Sequence, residues 1–343
     1  MTVQVDQNPE RMTGRVKPGD TGEVRVVFIA GSSRTGSTIM ANILGQLDGC
    51  FAVGELWNLW RRSLIEHRRC GCGVPVPECE VWQQILRRSF AGRIPDDAEA
   101  RRLDELTHRH IRARDTRAAW SSFGRPVEGE PDDYRRTLLR LYRSIKRVTG
   151  CEVIIDSSKE PVYGLLLAGL PGLRVSVVHL IRDPRAVAFS HGRRVLMRDF
   201  GDGRLMPRER TWVGARRWLK SQTLSGVVLP RRVPDYRMVQ YGEFASNPRA
   251  AIARLSTLAG DELPLPFLDE RTAMLETTHS VSGNPKRFDT GPVRVGVDDE
   301  WRTRMPARDK LVVTAVTWPL LLRYGYTPWP RRDQGSLEAA GQR

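Results

Sequence analysis

Val24–Leu47 reads VRVVFIAGSSRTGSTIMANILGQL. The β-branched, apolar run Val24–Ala30 predicts a buried strand. Gly31, Ser32, Ser33, Arg34, Thr35 and Gly36 follow as a short loop, and Ser37 and Thr38 open an apolar helix through Leu44 and Leu47. A strand, a loop of small residues and a helix start make a phosphate cradle, because loop N–H groups and a helix N-terminus both favour an anion.

The spacing approaches the nucleotide P-loop G-x-x-x-x-G-K-[ST], with Ser37 where the lysine would stand and Arg34 inside the loop. In nucleoside triphosphatases that lysine reaches the β/γ-phosphates and the next hydroxyl holds magnesium. Its replacement argues against ordinary ATP chemistry. The cradle and one cation remain, which suits a 5′-phosphate carrying a single transferable group. Read alone, the stretch is equally a tight turn in an α/β protein; the rest of the chain decides.

Further strands end in polar residues. Cys50–Val53 is a short strand closing in Gly54-Glu55, followed by a Leu56–Arg62 helix. Past the carboxyl end of a parallel strand, Glu55 faces the ligand crevice. A surface carboxylate or the N-cap of that helix is the common reading, but its position after the strand and its neighbours Leu56, Trp57 and Trp60 favour a functional one, with burial and a raised pKa suited to a base. Cys151–Asp156 leads into Ser157-Ser158-Lys159, with Pro161 opening a helix; Lys159 is placed to deliver a cation. Val175–Ile181 leads into Arg182-Asp183-Pro184-Arg185 and a helix through Ser190. Asp183 suits an N-cap and Pro184 the first turn. Arg182 and Ser190 can converge on one phosphate. His179, within that strand, reads as a satisfied core histidine. Tyr236–Tyr241 is a further strand ending in Tyr241, and Asn247-Pro248 starts a helix to Ala259.

The Tyr134–Val148 stretch places Tyr134, Leu138, Leu141, Tyr142, Ile145 and Val148 on one helical face. Glu209–Leu229 and Arg308–Tyr324 read as helices, and Thr277–Phe288 as a polar loop bearing Lys286 and Arg287, a solvent loop or a lid over an anion. Arg101–Arg117 has few aromatics for base stacking and reads as a solvated helix or lid. In the segment HRRCGCGVPVPECEVW, Cys70, Cys72 and Cys79 cluster with His67 nearby; the spacing is not that of a standard zinc finger, and a structural knuckle is favoured, with metal the minority reading.

Strands alternating with helices define an α/β class: a single P-loop-like domain with a central parallel sheet flanked by helices. The expected organisation is a disordered arm over 1–22, one domain over 23–330 with a helical insert at about 91–150, and a disordered tail over 331–343. The 343 residues carry 55 Lys and Arg against 40 Asp and Glu, a net charge of +15 that favours acidic ligands. The arginines are dispersed, which fits a solvated surface. Five cysteines make no disulfide scaffold, the N-terminus lacks a signal-peptide core, and no apolar run approaches a membrane span. A cytoplasmic location is expected.

The two motifs together resemble the sulfotransferases that use 3′-phosphoadenosine 5′-phosphosulfate (PAPS). R-[ST]-G-[ST]-[ST], here Arg34–Thr38, is similar to that family's 5′-phosphosulfate loop, and L-[IV]-R-D-P-R-A-V, here Leu180–Val187 with Ser190 following, to its 3′-phosphate element. The match is nearest the bacterial relatives of carbohydrate and tyrosylprotein sulfotransferases. The resemblance implies that Arg34, Thr35, Gly36, Ser37 and Thr38 hold the 5′-phosphosulfate and that Arg182 and Ser190 hold the 3′-phosphate. It further implies Glu55 as base, Lys159 at the sulfuryl group and Tyr241 near adenine. A late-loop serine, Ser280 or Ser282, would aid the leaving phosphate. The R-K-G-x-x-G-D-W lid of the cytosolic phenol and steroid enzymes is replaced by Gly283–Phe288, leaving Lys286 and Arg287 as the lid cations. No metal is required by such chemistry. The implied acceptor is a small-molecule or carbohydrate-like hydroxyl, its pocket built from Leu56–Arg69, the 91–130 helices and the late loop, with Trp57, Trp60 and Trp120 as stacking candidates. No nucleic-acid partner is implied. A kinase-like phosphotransferase with an altered phosphate loop is the alternative, opposed by the Arg182–Ser190 element; a non-catalytic basic binding protein is a third reading.

Overall fold

In the computed structural model, which describes residues 22–111, 133–260 and 263–327, the run VRVVFIAG forms a central strand, β1 (Val24–Gly31). With β2 (Cys50–Gly54), β3 (Val153–Lys159), β4 (Leu173–Ile181) and β5 (Tyr236–Gln240) it makes a five-stranded parallel sheet in the order β2-β3-β1-β4-β5. Alternate β1 side chains enter two cores. Val24, Val26 and Phe28 pack with Leu138, Tyr142, Tyr163 and Leu167, whereas Val27 and Ile29 pack with Met40, Ile43, Leu44 and Ile252. Burial on both faces explains a strand that is apolar without alternation. Its one charge, Arg25, reaches carbonyls at a helix C-terminal end, donating to Leu258 at 2.9 Å and Ala259 at 3.3 Å.

The order places β1 between β3 and β4. The chain leaves β1 toward the β2 side and leaves β4 toward β5, so the connections diverge at the carboxyl ends of these two neighbours. A crevice for ligand opens at such a point. The Gly31–Gly36 loop stands at one lip and Arg182 at the other.

The helix Asp133–Thr149 buries Tyr134, Leu138, Leu141, Tyr142 and Ile145 as its periodicity predicts. Other boundaries differ. Lys159 belongs to β3, whose pairing with β1 passes a register shift before Ala30 meets Lys159. The expected Leu56–Arg62 helix is a 3-10 turn, Leu56–Asn58, running into a π-helical stretch, Leu59–Ile65. The expected Glu209–Leu229 helix is α-helical over Thr211–Thr223 and then widens to a π-helical Leu224–Val228. A helix at Glu80–Ser89 and a small antiparallel pair, β6 (Thr272–Leu275) with β7 (Gly291–Arg294), add to the expected elements. That pair pins both ends of the late loop. The arm over 1–21, Trp120 and the 331–343 tail lie outside the described residues, as does the Arg101–Arg117 stretch beyond Ile111. Among the described residues, no helix is long and apolar enough to cross a membrane.

Candidate active site

The Gly31–Gly36 loop turns through two left-handed residues, Arg34 at φ 65° and Gly36 at φ 90°. Glycine is required at the second: a Cβ there would lie 3.0 Å from the Tyr241 ring. Thr35 Oγ1 donates to the Ser32 carbonyl at 2.9 Å, and Ser33 Oγ meets His191 Nε2 at 2.8 Å. The buried Ser32 hydroxyl has no partner. The Arg34 guanidinium touches the Met206 sulfur at 3.1 Å, and no carboxylate among the described residues pairs with it. Burial pulls its pKa below the usual arginine value, against the opposing pull of Glu55. An unneutralised cation and an unpartnered hydroxyl beside a helix start fit a bound anion.

Arg182 closes the other lip. Its Nη1 donates to the Arg34 carbonyl at 2.9 Å, its Cζ stands 4.3 Å above the Tyr241 ring, and its buried Nε has no partner. Asp298 pairs with it at 3.0 Å and takes both Nη atoms of Arg193, at 2.9 and 2.8 Å. Burial pushes the Asp298 carboxyl up, but Arg193 and Arg182 hold it below the usual range. Asp183 caps the helix Pro184–Gly192 through the Arg185 N–H at 2.8 Å. Ser190 is half-buried on that helix, beside the His191 that bonds Ser33. Asp298 and Arg193 lie in stretches whose local sequence marks no site.

Glu55 and Lys159 come from the tips of β2 and β3. Lys159 Nζ lies 2.5 Å from Glu55 Oε1 and 3.0 Å from the Ser157 carbonyl. Lys159 is left-handed, with φ 67°, a strained conformation for this residue type. Its turn is anchored by Asp156, a residue the sequence reading passed over: the buried carboxylate accepts from the Ser158 N–H at 2.8 Å and from the Tyr142 hydroxyl. Glu55 Oε2 accepts from Asn58 at 3.0 Å and from Arg62 at 3.3 Å; Glu55 stands at the N-cap position of the Leu56–Asn58 turn, but its side chain makes no capping bond. Burial pushes the Glu55 carboxyl up, as expected, but Lys159 and Arg62 outweigh burial and hold it below the ordinary range. The expected rise is therefore corrected: two cations, brought in by folding, reverse it.

The late loop separates its two serines. Arg62 Nη1 donates to Ser282 Oγ at 3.0 Å, and the Ser282 carbonyl accepts from the Glu55 N–H at 3.2 Å. Ser280 Oγ instead meets Thr278 Oγ1 at 3.0 Å. The Asn284 N–H reaches Thr38 Oγ1 at 3.3 Å, so the late loop borders the start of the helix Ser37–Leu44. Arg287 is not a lid cation in this arrangement. It is buried, paired with Asp199 at 2.6 Å and donating to the carbonyls of Ser280 (2.7 Å) and Arg69. Lys286 is exposed.

Trp60 is fully buried edge-on to Phe90 and so is core; Trp57 is half-buried against His108. A cavity of about 530 Å³ is lined by Glu160, Trp212, Arg216, Arg217, Lys220 and Leu224, none of them in the segments expected to form the acceptor pocket. His179 is a core histidine bonded to the Tyr236 hydroxyl at 2.5 Å and to Gln222. His67 does not join the cysteines; His279, from the late loop, does. Sequence spacing could not show this, because the partner lies about two hundred residues away.

A sulfotransferase family model matches residues 26–264. Among solved structures, the sulfotransferase domain from the curacin biosynthetic pathway is 16% identical, with 89% of this chain and 98% of that chain covered and a TM-score of 0.47. Sulfotransferase STF9 from Mycobacterium avium is 15% identical, with 89% and 78% covered and a TM-score of 0.40. No curated protein matched the chain.

Proposed function

The chain belongs to the sulfotransferase family, and from that premise we propose that it moves a sulfuryl group from PAPS to a hydroxyl of a small-molecule or carbohydrate-like acceptor. The observation that carries this reading is the Glu55–Lys159 contact of 2.5 Å beside the phosphate cradle. It joins an acid–base group to a cation at the lip where a transferable group would sit. The orphaned Ser32 hydroxyl and Arg182 Nε are the buried polar atoms that a doubly phosphorylated nucleotide would satisfy.

In this reading the loop N–H groups of Gly36–Thr38 and Arg34 bind the 5′ end, and Arg182 with Ser190 binds the 3′-phosphate. Tyr241, already stacked beneath Arg182, supplies a face for the adenine. When bound, PAPS supplies an activated sulfuryl group and a phosphate leaving group. Glu55 is ionised at neutral pH because its pKa is lowered, so it can accept the acceptor hydroxyl's proton on Oε1 as Lys159 turns away. The acceptor oxygen forms the new O–S bond as the S–O bond to phosphate breaks, and the electron pair stays on the phosphate oxygen. Arg34, Lys159 and the loop amides stabilise that charge electrostatically. Ser282, held by Arg62, adds a hydroxyl on the same side.

Titration calorimetry with adenosine 3′,5′-bisphosphate tests the reading. Binding by the wild type that Arg182→Ala weakens strongly supports it, and sulfuryl transfer from PAPS in an acceptor screen completes it. No binding by the wild type overturns it.

A further inference from the structure

Four soft ligands from distant parts of the chain meet beside the late loop. Cys70 and Cys72 stand on a tight turn, Cys79 precedes the helix Glu80–Ser89, and His279 comes from the loop between β6 and β7. Their ligand atoms all lie within 4.8 Å of one another. The Cys72 and Cys79 sulfurs are 3.8 Å apart. His279 Nδ1 is 3.3 Å from the Cys79 sulfur and 3.8 Å from that of Cys70. In a tetrahedral zinc site, with Zn–S near 2.3 Å and Zn–N near 2.05 Å, two sulfurs are separated by about 3.8 Å and a sulfur and a nitrogen by about 3.6 Å.

We propose that Cys70, Cys72, Cys79 and His279 bind one zinc ion in a closed, structural site. Three sulfurs and an imidazole select a soft or borderline metal over magnesium or calcium. Four protein ligands leave no open position for chemistry. The surroundings are those of a built site. Trp82 Nε1 donates to the His279 carbonyl at 2.6 Å, and the Gly71 N–H to the Ser280 carbonyl at 2.9 Å. Such contacts orient metal ligands. Gly71 permits this approach, because a Cβ there would lie 2.5 Å from the Thr278 carbonyl oxygen. A Cys72–Cys79 disulfide would engage two sulfurs and leave Cys70 and His279 without a role.

The ion would fasten the Cys70–Cys79 turn to the loop that carries Ser282, three residues beyond His279. That consequence rests on the reaction proposed above; the metal site does not.

The test is metal analysis by inductively coupled plasma mass spectrometry on the purified full chain. About one zinc per chain is expected in the wild type and in His279→Cys, which keeps four zinc ligands. His279→Ala and Cys79→Ser should lose most of it. Chain stripped by a thiol-modifying reagent, then reduced and given cobalt(II), should show tetrahedral thiolate absorption. Zinc-free wild type that takes up neither metal overturns the proposal, whether its thiols are free or joined in a disulfide by intact mass. So does zinc that persists in both loss variants. Metal content is read without turnover, so failure of the sulfotransferase reading would leave this result standing.

Discussion

The Asp298 carboxylate lies 3.0 Å from the Arg182 guanidinium and also holds Arg193. Two cations at the β4 lip thus converge on one carboxylate, in the place where the 3′-phosphate is assigned. A phosphate arriving there competes with that charge. Asp298→Asn should therefore tighten adenosine 3′,5′-bisphosphate binding about 5-fold, near 1 kcal/mol, while Arg182→Ala should weaken it by about 1.5–3 kcal/mol, the range for a charged hydrogen bond. Calorimetry on both variants decides; a weaker Asp298→Asn complex would make Asp298 a positioning residue for Arg182.

Glu55→Gln keeps the size and one acceptor of the side chain but cannot take a proton. Turnover should fall by about 10²–10⁴-fold, the usual contribution of a general base, with bisphosphate affinity near that of the wild type. Lost affinity in this variant would remove Glu55 from the base role.

Ser282 and Ser280 face different neighbours. Ser282→Ala should lower kcat by roughly 100-fold if its hydroxyl meets charge on the leaving oxygen. Ser280→Ala, whose hydroxyl bonds Thr278, should leave kcat nearly unchanged. Equal losses in the two variants would refute the assignment.

Arg287 and Asp199 form a buried pair that ties the late loop to the Arg69 carbonyl. Asp199→Ala leaves a buried guanidinium unpaired and should destabilise the fold by about 3–5 kcal/mol. The double variant Asp199→Ala with Arg287→Met should cost less, because it leaves neither charge of the pair stranded. Urea unfolding of the two variants gives the comparison.

Stability should fall on mild acidification. Burial holds His179 at a pKa of about 4, opposed only by Gln222, and burial with Arg34 and Arg217 holds His191 at about 4, against an ordinary 6.5. The unfolded chain takes up these protons first as pH drops below about 6.5, and the folded chain only near 4. Asp156 opposes this trend: burial raises its carboxyl to about 6 from 3.8, so its contribution to stability grows as pH falls through that window. Two histidines against one carboxylate leave a net loss on the order of 3 kcal/mol between pH 6.5 and 4. Denaturant midpoints across this range measure it; a flat profile would contradict the buried neutral histidines.

Much of the architecture was legible because its signals are local. Buried parallel strands must be apolar on both faces, as VRVVFIAG is, and glycine-rich turns, Asp183 and Pro184 mark where helices start. Strands β6 and β7 escaped because such short strands form through tertiary packing; the helix Glu80–Ser89 does carry a local signal, with Val81, Trp82, Ile85 and Leu86 on one buried face. The site was legible only as a set of strand ends. Glu55, Lys159 and Arg182 could be placed at the crevice by topology, but Arg62, Arg193 and Asp298 sit in sequence that is locally indistinguishable from charged surface, and the anchoring role of Asp156, at the end of an apolar strand, depends on the distant Tyr142 hydroxyl.

The sequence by itself determined the α/β class, the Gly31–Gly36 loop at the end of β1 and the cationic element at the end of β4, since each depends on residues adjacent in the chain. Tertiary structure alone decided the direction of the Glu55 shift, the choice between Ser280 and Ser282 at Arg62, the burial of Arg287 and the partnership of His279 with three cysteines. Those outcomes depend on distances between residues far apart in sequence, and electrostatic energies vary with distance and burial, neither of which a linear pattern contains.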